Sequence, residues 1–212
     1  MNITLIGASG FIGTAVLNEA LARGHHVTAL VTRPERLAAH ERVTALAADV
    51  NDVARLSAQL AGADVVVSAF SGHAQADILD YFVAGTGNII TAAKEARAPR
   101  LLVVGGAGSL EVAPGVQLID TPGFPAQYKA SAEGARQALQ LLRKEASLNW
   151  TMLSPSAMIA PGQRTGSFRS SLDQLLTTAD GGSQISVEDF ALALVDELER
   201  PAHPRQRFTV GY

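Results

Sequence analysis

Cysteine is absent from the 212 residues of this chain, and so is any strongly basic segment. Without cysteine there is no disulfide framework and no thiolate chemistry, which is typical of a protein from a reducing compartment. Lysine and arginine number 17 against 20 acidic residues, a formal net charge of -3, so charge-driven binding to nucleic acid is not expected. No apolar run reaches the roughly 18 residues that span a bilayer, and no signal-peptide pattern precedes the first strand. We therefore expect a cytoplasmic protein without membrane contact.

What the sequence does contain is a regular alternation of apolar strand-like segments and helical segments. Parallel neighbours need crossover connections of about a dozen residues or more, and this spacing provides them. The sequence therefore predicts an α/β fold with a doubly wound, mostly parallel sheet of the Rossmann type. Its length of 212 residues favours a single domain over residues 1–212, with a small C-terminal extension and short substrate-side elements within 155–212.

The most informative segment is the first one, where an apolar run meets the pattern Gly7-x-x-Gly10-x-x-Gly13. A strand that turns through glycines into a helix directs backbone N–H groups and the positive end of the helix dipole at one point, which suits a phosphate. Gly7 would permit the tight turn, Gly10 the close approach of a pyrophosphate, and Gly13 the packing of helix on strand. Glycines also accumulate in ordinary turns. The position after an N-terminal strand, before a helix that stops at Gly24, favours a dinucleotide site formed by Gly7, Ser9, Gly10, Phe11, Ile12 and Gly13.

The end of the second predicted strand bears on the choice of cofactor. An NAD site usually places an acidic residue about twenty positions after the glycines, to bind the ribose 2′-hydroxyl. Arg33 occupies that place here, with Arg36 behind it. A guanidinium would pair with a 2′-phosphate, so NADP(H) is preferred over NAD(H). Alternatively, both arginines belong to a solvated helix start at Pro34.

Carboxyl ends of parallel strands line the ligand crevice, which gives further candidates. Ser68, Ala69 and Phe70 end the fourth predicted strand and should form a wall of the cofactor cleft. His73 follows them, and either faces the ligand or is solvated. Residues 155–158 follow the sixth predicted strand and should flank the nicotinamide, although Pro155 could serve only as a rigid turn. The proline- and glycine-rich segment 110–126 is interpreted as a lid or rim, and Asp120 within it is a candidate acid.

Several motifs together resemble the atypical short-chain dehydrogenase/reductases, in particular NAD(P)H-binding, NmrA-like proteins and the flavin reductase/biliverdin reductase B type. Besides the glycine loop, these motifs are the strand end at Val103–Ser109, the segments Trp150–Pro155 and Arg164–Gly166, and the helix start at Ile185–Ala191. The resemblance covers nearly the whole chain. It implies the Rossmann fold and the cofactor class, and says little about the substrate.

The resemblance also implies roles for individual residues. Classical members use a Tyr-x-x-x-Lys pair, but Tyr128 is followed at once by Lys129 and, four positions on, by Ala132. Neighbouring residues on a helix project about 100° apart, so this pair cannot replace the classical one. Tyr128 either donates a proton alone or anchors its loop.

Three further residues are candidates for contacts with the cofactor or the substrate. Ser109 corresponds to a polar position near the nicotinamide, or it ends a glycine turn. Asp49, with Val50, corresponds to an adenine contact, although Asp49 or Asn51 could instead cap the next helix. Arg164 lies in a polar loop, where it either meets an anionic substrate or stays on the surface.

These observations favour an NADPH-dependent reductase that transfers hydride to a flat conjugated acceptor, a flavin or a quinone. Such an acceptor can take its proton from solvent, so the chemistry tolerates loss of the tyrosine–lysine pair. The alternative is a regulatory protein that senses NADP(H) without turnover, as the likeness to NmrA-like proteins allows. The partner is a small-molecule acceptor, no metal is implied, and the sequence leaves the oligomeric state open.

Overall fold

The computed structural model of the protein describes residues 1–72 and 75–212. His73, one of the candidate ligand contacts, lies outside the described residues. The described chain forms twelve strands, which in order are β1 (Asn2–Ile6), β2 (His26–Val31), β3 (Val43–Ala47), β4 (Val65–Ser68), β5 (Leu101–Val104), β6 (Glu111–Ala113), β7 (Val116–Gln117), β8 (Trp150–Ser154), β9 (Met158–Ala160), β10 (Arg169–Ser171), β11 (Gln184–Ser186) and β12 (Gln206–Gly211). Its α-helices are α1 (Phe11–Ala22), α2 (Val53–Leu60), α3 (Ile78–Glu95), α4 (Lys129–Lys144) and α5 (Val187–Glu199).

Eight of the strands form one sheet, in the order β10-β12-β8-β5-β4-β1-β2-β3. Every neighbouring pair is parallel except β10 with β12. The order reverses beside β1, since the chain first adds β2 and β3 on one side and then β4 and β5 on the other. In open α/β sheets a ligand crevice forms at this reversal, beyond the carboxyl ends of the strands. The predicted fold class, a doubly wound and mostly parallel sheet, is confirmed.

Helices cover both faces of the sheet. One apolar cluster joins α1 and α5 to the strands through residues such as Val16, Leu17, Phe190 and Leu194, which are at most 7% exposed. A second cluster joins α2, α3 and α4 to the opposite face. Strands β4, β5 and β8 are buried along their whole lengths, which is why they are mostly apolar without the alternation typical of half-exposed strands.

The helix starts differ in detail from the sequence expectations. Helix α1 begins at Phe11, directly after Gly10, and the left-handed Gly24 (φ +83°) follows its end as predicted. Asp52, not Asp49 or Asn51, caps α2 by accepting a hydrogen bond from the backbone N–H of Arg55.

Helix α5 begins within the predicted segment Ile185–Ala191, and Ser186 forms one half of a capping box there. Ser186 Oγ accepts from the Asp189 backbone N–H at 3.0 Å, as the box requires. The Asp189 carboxylate does not accept a hydrogen bond from the Ser186 backbone N–H, which would complete the box. It accepts instead from Thr165, Gly166 and Tyr212.

The two glycines inside α3 have different surroundings. A Cβ on Gly85 would lie 2.5 Å from the ring of Phe70, so the close neighbour is a side chain rather than a ligand or backbone. Gly87 has no described atom within 4 Å of its Cβ position, and the structure offers no reason for a glycine there.

A histidine at the start of the second predicted strand reads from the sequence as part of a solvated turn, but His25 is buried, at 8% exposure. Its Nε2 lies 2.8 Å from a carboxylate oxygen of Glu199, and its Nδ1 is 3.3 Å from the amino group of Met1. His26 is exposed on the other side of the strand. Among the described residues, no helix combines the length and apolarity needed to cross a bilayer.

Acidification should weaken the turn after α4, where Glu145 is held by four hydrogen bonds. Its carboxylate accepts from Lys94 Nζ, from the Ser147 hydroxyl and from the backbone of Ser147 and Leu148. The bond from Lys94, followed by those from Ser147, lowers the pKa of Glu145 to about 2 from a usual value of 4.5. A depressed pKa stabilises the folded state above the unfolded value, and this contribution is lost as pH falls through the folded value.

Replacement of Glu145 by glutamine should therefore cost up to about 1 kcal/mol of unfolding free energy at neutral pH, a small figure because Lys94 is exposed. The difference from wild type should shrink between pH 4.5 and about 2. Urea unfolding across this pH range measures it. A difference that stays constant with pH would contradict the assignment.

Candidate functional site

A cavity of about 490 Å³ opens at the carboxyl ends of the central strands. Its lining comes from segments that are far apart in the chain. They are the loop from β1 to α1, the residues after β4, β5 and β8, part of α3, and the region from Leu118 to the first turns of α4. The cavity thus lies where the strand order reverses, as expected for a ligand site in this fold.

Two glycines of the opening loop are required by the packing of the loop itself. Gly7 has a φ of +80°, and a Cβ there would lie 2.6 Å from the carbonyl oxygen of Ala69. A Cβ on Gly13 would lie 2.0 Å from the carbonyl oxygen of Gly7. The backbone N–H of Gly7 donates to Leu30 in β2 at 2.8 Å, which fixes the loop on the sheet. Both positions therefore exclude any side chain for structural reasons.

Gly10 differs, because it borders the cavity rather than the protein interior. The nearest described atom to its Cβ position is the Gly7 carbonyl oxygen at 3.3 Å, and no other lies within 4 Å. Gly10 is the N-cap of α1, and no side chain caps this helix. Helices α3 and α4 also lack a side-chain cap, whereas α2 and α5 are capped by Asp52 and Ser186. The first N–H groups of α1 thus face the same opening as Gly10. This arrangement fits a pyrophosphate.

The remaining residues of the predicted cofactor set surround this loop. Phe11, Ile12, Ala69, Phe70 and Pro155 line the cavity. Ser9 is exposed at the loop, and Ser68, at the end of β4, is buried beside Ile6 of β1.

The predicted adenine side lies outside the cavity, over the ends of β2 and β3. Arg33 is exposed just beyond β2 and precedes a short 3-10 turn at Pro34–Arg36, so it lies where a ribose 2′-substituent is expected. Asp49 is exposed after β3 and accepts from the Asn51 backbone N–H at 2.9 Å. Val50 is 6% exposed and belongs to the apolar cluster beneath.

The segment between β5 and α4 forms a rim of the cavity, in agreement with the prediction. It contains the hairpin of β6 and β7, and its later residues Leu118, Thr121, Phe124 and Pro125 line the cavity. Tyr128, just before α4, also lines the cavity and is 55% exposed. Its hydroxyl makes no hydrogen bond with the described part of the chain, so it is available to a ligand.

Some lining residues were not identified as candidates from the sequence. Ile78 and Phe82 of α3 reach the cavity, and Phe82 stacks on Phe70 with ring centroids 5.8 Å apart. Their helical spacing reads as an ordinary core face, so no sequence signal separates them from core residues. Residues 155–158, which were predicted to flank a nicotinamide, do line the cavity.

Ser109 has a structural role in place of the predicted ligand contact. It is 2% exposed, is absent from the described lining of the cavity, and follows the glycine turn that does line it. The guanidinium of Arg207 donates to its hydroxyl at 3.2 Å and to its carbonyl oxygen at 3.3 Å. A buried arginine from the last strand therefore fixes the end of this turn.

Arg164 and Asp120 also turn away from the cavity. Arg164 donates twice to Glu19 of α1, at 2.9 and 2.8 Å, and this bond is the main cause that lowers the pKa of Glu19. Asp120 pairs with Arg136 at 3.0 Å on the outer surface. The loop around Arg164 is thus held against α1 and cannot meet an anionic substrate from this position.

The cavity wall is apolar with scattered hydroxyl groups. Its described polar side chains are the hydroxyls of Ser71, Thr121, Tyr128, Ser131 and Ser156, and none of its described residues carries a charged side chain. A wall of this kind favours a ring system over an ion, because an unpaired charge is costly to bury. The geometry thus combines an uncapped helix start at α1 with an apolar chamber beside it.

The sequence family described as NAD(P)H-binding matches residues 7–201, from the first loop glycine to the end of α5. The chain belongs to the NAD(P)H-binding family. This assignment confirms the resemblance found in the sequence. The family and its structural relatives are oxidoreductase-like.

Three solved structures resemble the chain over its whole length. A Burkholderia pseudomallei protein, provisionally described as exported, is 45% identical with a TM-score of 0.91, and all of both chains is covered. A Bacteroides thetaiotaomicron protein, provisionally named an epimerase, is 42% identical with a TM-score of 0.94, covering 100% of this chain and 96% of that one. A Streptococcus pneumoniae protein, provisionally named an NADH-flavin reductase, is 34% identical with a TM-score of 0.85, covering 100% and 99%.

Proposed function

We propose that the protein is an NADPH-dependent reductase that passes a hydride to a flat conjugated acceptor, a flavin or a quinone. The observation that carries this proposal is the apolar cavity of about 490 Å³ directly beside the uncapped start of α1. A cofactor whose pyrophosphate lies at that helix would extend its nicotinamide into the chamber. The related S. pneumoniae protein with a provisional NADH-flavin reductase name supports the same activity.

The chain's own residues would position the reactants and exclude water. NADPH supplies the hydride when bound, and the rings of Phe70, Phe82 and Phe124 provide apolar surface for a flat acceptor. Position and a dry pocket are what hydride transfer between stacked rings requires. Hydride transfer of this kind therefore does not require a charged side chain in the cavity.

Tyr128 is the candidate proton donor at the cavity. It has alanine, not lysine, four positions later, so the classical lysine that assists the tyrosine is missing from this place. The hydroxyl of Tyr128 points to no described partner, and its 55% exposure allows proton exchange with solvent. A flavin or quinone anion left by hydride transfer can take its proton from this hydroxyl or from water.

Arg33 carries the proposed preference for NADP(H). Its replacement by alanine should raise the Kd of NADPH about tenfold, because a charge-assisted pair with the 2′-phosphate is lost, and should leave the Kd of NADH unchanged. Titration calorimetry with both nucleotides measures the ratio of the Kd of NADPH to the Kd of NADH. Arg200→Ala is the matched control, since Arg200 is 79% exposed beyond the end of α5. An unchanged NADPH to NADH ratio in Arg33→Ala would remove Arg33 from this role.

The reductase is tested by following NADPH oxidation with a panel of flavins and quinones. Oxidation that depends on both the acceptor and the protein supports the proposal. The alternative function is a regulatory protein of the NmrA-like type that senses NADP(H). It predicts equally tight binding of NADP⁺ and NADPH with no acceptor-dependent oxidation.

A further inference from the structure

We infer that the acceptor is an uncharged quinone and that the cavity discriminates against ring compounds with a phosphate or sulfonate group. This inference rests on the proposed reductase function and narrows its substrate class. It is carried by the chemistry of the cavity wall, in particular by how the hydroxyl groups of that wall are already used.

Three of the five hydroxyl groups in the wall donate hydrogen bonds to backbone carbonyl oxygens. Thr121 Oγ1 donates to Leu118 at 2.7 Å, Ser131 Oγ to Tyr128 at 3.0 Å, and Ser156 Oγ to Val210 at 2.9 Å. A hydroxyl whose proton is used elsewhere presents only lone pairs to a ligand. These oxygens would repel a phosphate or sulfonate oxygen rather than bind it.

The hydroxyls of Ser71 and Tyr128 remain, and neither makes a hydrogen bond within residues 1–72 and 75–212. Two hydroxyl donors match the two carbonyl oxygens of a quinone in number and in chemistry. They cannot neutralise a phosphate, which carries up to two negative charges and favours arginine, lysine or a helix N-terminus. Three described helix N-termini border the cavity, and that of α1 is already assigned to the cofactor's pyrophosphate. At α4 the preceding 3-10 turn already uses the backbone N–H groups of Tyr128 and Lys129, and α3 begins with Asp77 and Asp80, whose charges disfavour an anion.

The apolar part of the wall suits a flat ring. Phe70 and Phe82 stack with an angle of 3° between their rings, and Phe124 and Met158 lie in the same cavity lining. A quinone ring can bury both faces against such a surface, because it carries no polar substituent chain that would need hydrogen-bond partners. The ribityl chain of a flavin, by contrast, brings several hydroxyls that would need partners among the few that the wall provides.

The reaction balances without a further reactant. The quinone accepts a hydride, which is two electrons and one proton, at one of its conjugated positions. One more proton, from Tyr128 or from water, completes the hydroquinone, and NADPH leaves as NADP⁺. A proton taken from Tyr128 is replaced from solvent, since that side chain is 55% exposed.

The test compares two matched pairs of acceptors with the full chain and NADPH: 1,4-naphthoquinone against its 2-sulfonate, and riboflavin against its 5′-phosphate. We expect naphthoquinone to have the highest kcat/KM, and the charged member of each pair to be at least about tenfold slower than the neutral one. The sulfonate withdraws electrons and makes the ring a better hydride acceptor, so a slower reaction is not an electronic effect.

A gain-of-function variant provides a second readout. Ser131→Lys places a cation in the cavity wall. It should reduce the ratio of kcat/KM for naphthoquinone to kcat/KM for its sulfonate about tenfold. Ala130→Lys is the matched control. It adds the same charge one residue away, on the outer surface beside Asp120 and Glu133, and should leave the ratio of the two kcat/KM values unchanged.

Charged acceptors that match or exceed their neutral partners would overturn this inference and leave the reductase function intact. A flavin preferred over naphthoquinone would overturn the assignment to quinones in the same way. Protein that binds NADPH but oxidises it with none of the four acceptors would instead contradict the reductase itself.

Discussion

Replacement of Gly10 by alanine is expected to weaken NADPH binding 10- to 100-fold, the equivalent of one or two charge-assisted hydrogen bonds. A Cβ at this position would project beside the amides that start α1, where the pyrophosphate must approach. The fold should tolerate the change, because the nearest described atom to that Cβ is 3.3 Å away. The unfolding free energy should therefore change by no more than about 1 kcal/mol. Calorimetric titration and urea unfolding measure the two quantities separately.

Two other glycines serve as controls for this experiment. Gly87→Ala fills open space on α3 and should leave NADPH affinity unchanged while stabilising the helix by about 0.5–1 kcal/mol. Gly13→Ala should fail for the opposite reason, since its Cβ would overlap the Gly7 carbonyl at 2.0 Å and destabilise the loop itself. If Gly10→Ala bound NADPH as tightly as wild type, the pyrophosphate would not lie at this helix.

Replacement of Arg100 by methionine is expected to lower the unfolding free energy by about 3–5 kcal/mol, the usual cost of leaving one member of a buried ion pair alone. Arg100 is 5% exposed and Glu197 is 4% exposed. The Arg100 guanidinium pairs with the Glu197 carboxylate and donates to the Glu197 carbonyl at 2.6 Å and to Thr151 Oγ1 at 2.7 Å. In a domain of this size the midpoint of thermal unfolding should fall by roughly 6–20 °C.

The same carboxylate also holds the connection between α5 and β12. It accepts from the backbone N–H groups of Ala202 and His203 and lies 2.8 Å from Nδ1 of His203. Burial alone would raise the pKa of Glu197, but these bonds, and the one from Arg100, lower it overall. Removal of Arg100 leaves this buried carboxylate without its guanidinium partner, which is why the expected loss of stability is large.

Lys94→Met is the matched control for the ion pair. Lys94 pairs with Glu145 at 2.9 Å, but its side chain is 45% exposed, so its loss should cost less than about 1 kcal/mol. Arg100 precedes β5, at the end of the sheet away from the cavity, and NADPH affinity should persist in folded Arg100→Met protein. An Arg100→Met protein as stable as Lys94→Met would contradict the role of the buried pair.

The parts of the molecule that could be predicted from the sequence are those whose cause is local. Gly7 and Gly13 indicate a turn and a close approach within one loop, and Ser186 indicates a helix start through a bond to a residue three positions later. Such signals lie within a few residues of their effect. Strand and helix alternation is likewise local, and it predicted the fold class.

The roles of Ser109, Arg164 and His25 could not be predicted because their partners are distant in sequence. Ser109 is held by Arg207, 98 residues later, and Arg164 binds Glu19, 145 residues earlier. His25 meets Glu199 across 174 residues. From the sequence, each of these residues was compatible with a ligand contact or a surface position. Their hydrogen-bond partners are brought close only by the folding of the whole chain.

The central claim is that the opening loop and the start of α1 bind the pyrophosphate of a nicotinamide dinucleotide. Calorimetric titration of the wild-type chain with NADPH, beside Gly10→Ala under the same conditions, tests it most directly. The account predicts a saturable isotherm with one nucleotide per chain for wild type, and a 10- to 100-fold weaker one for the variant. A wild-type chain that releases no heat with NADPH or NADH would contradict it.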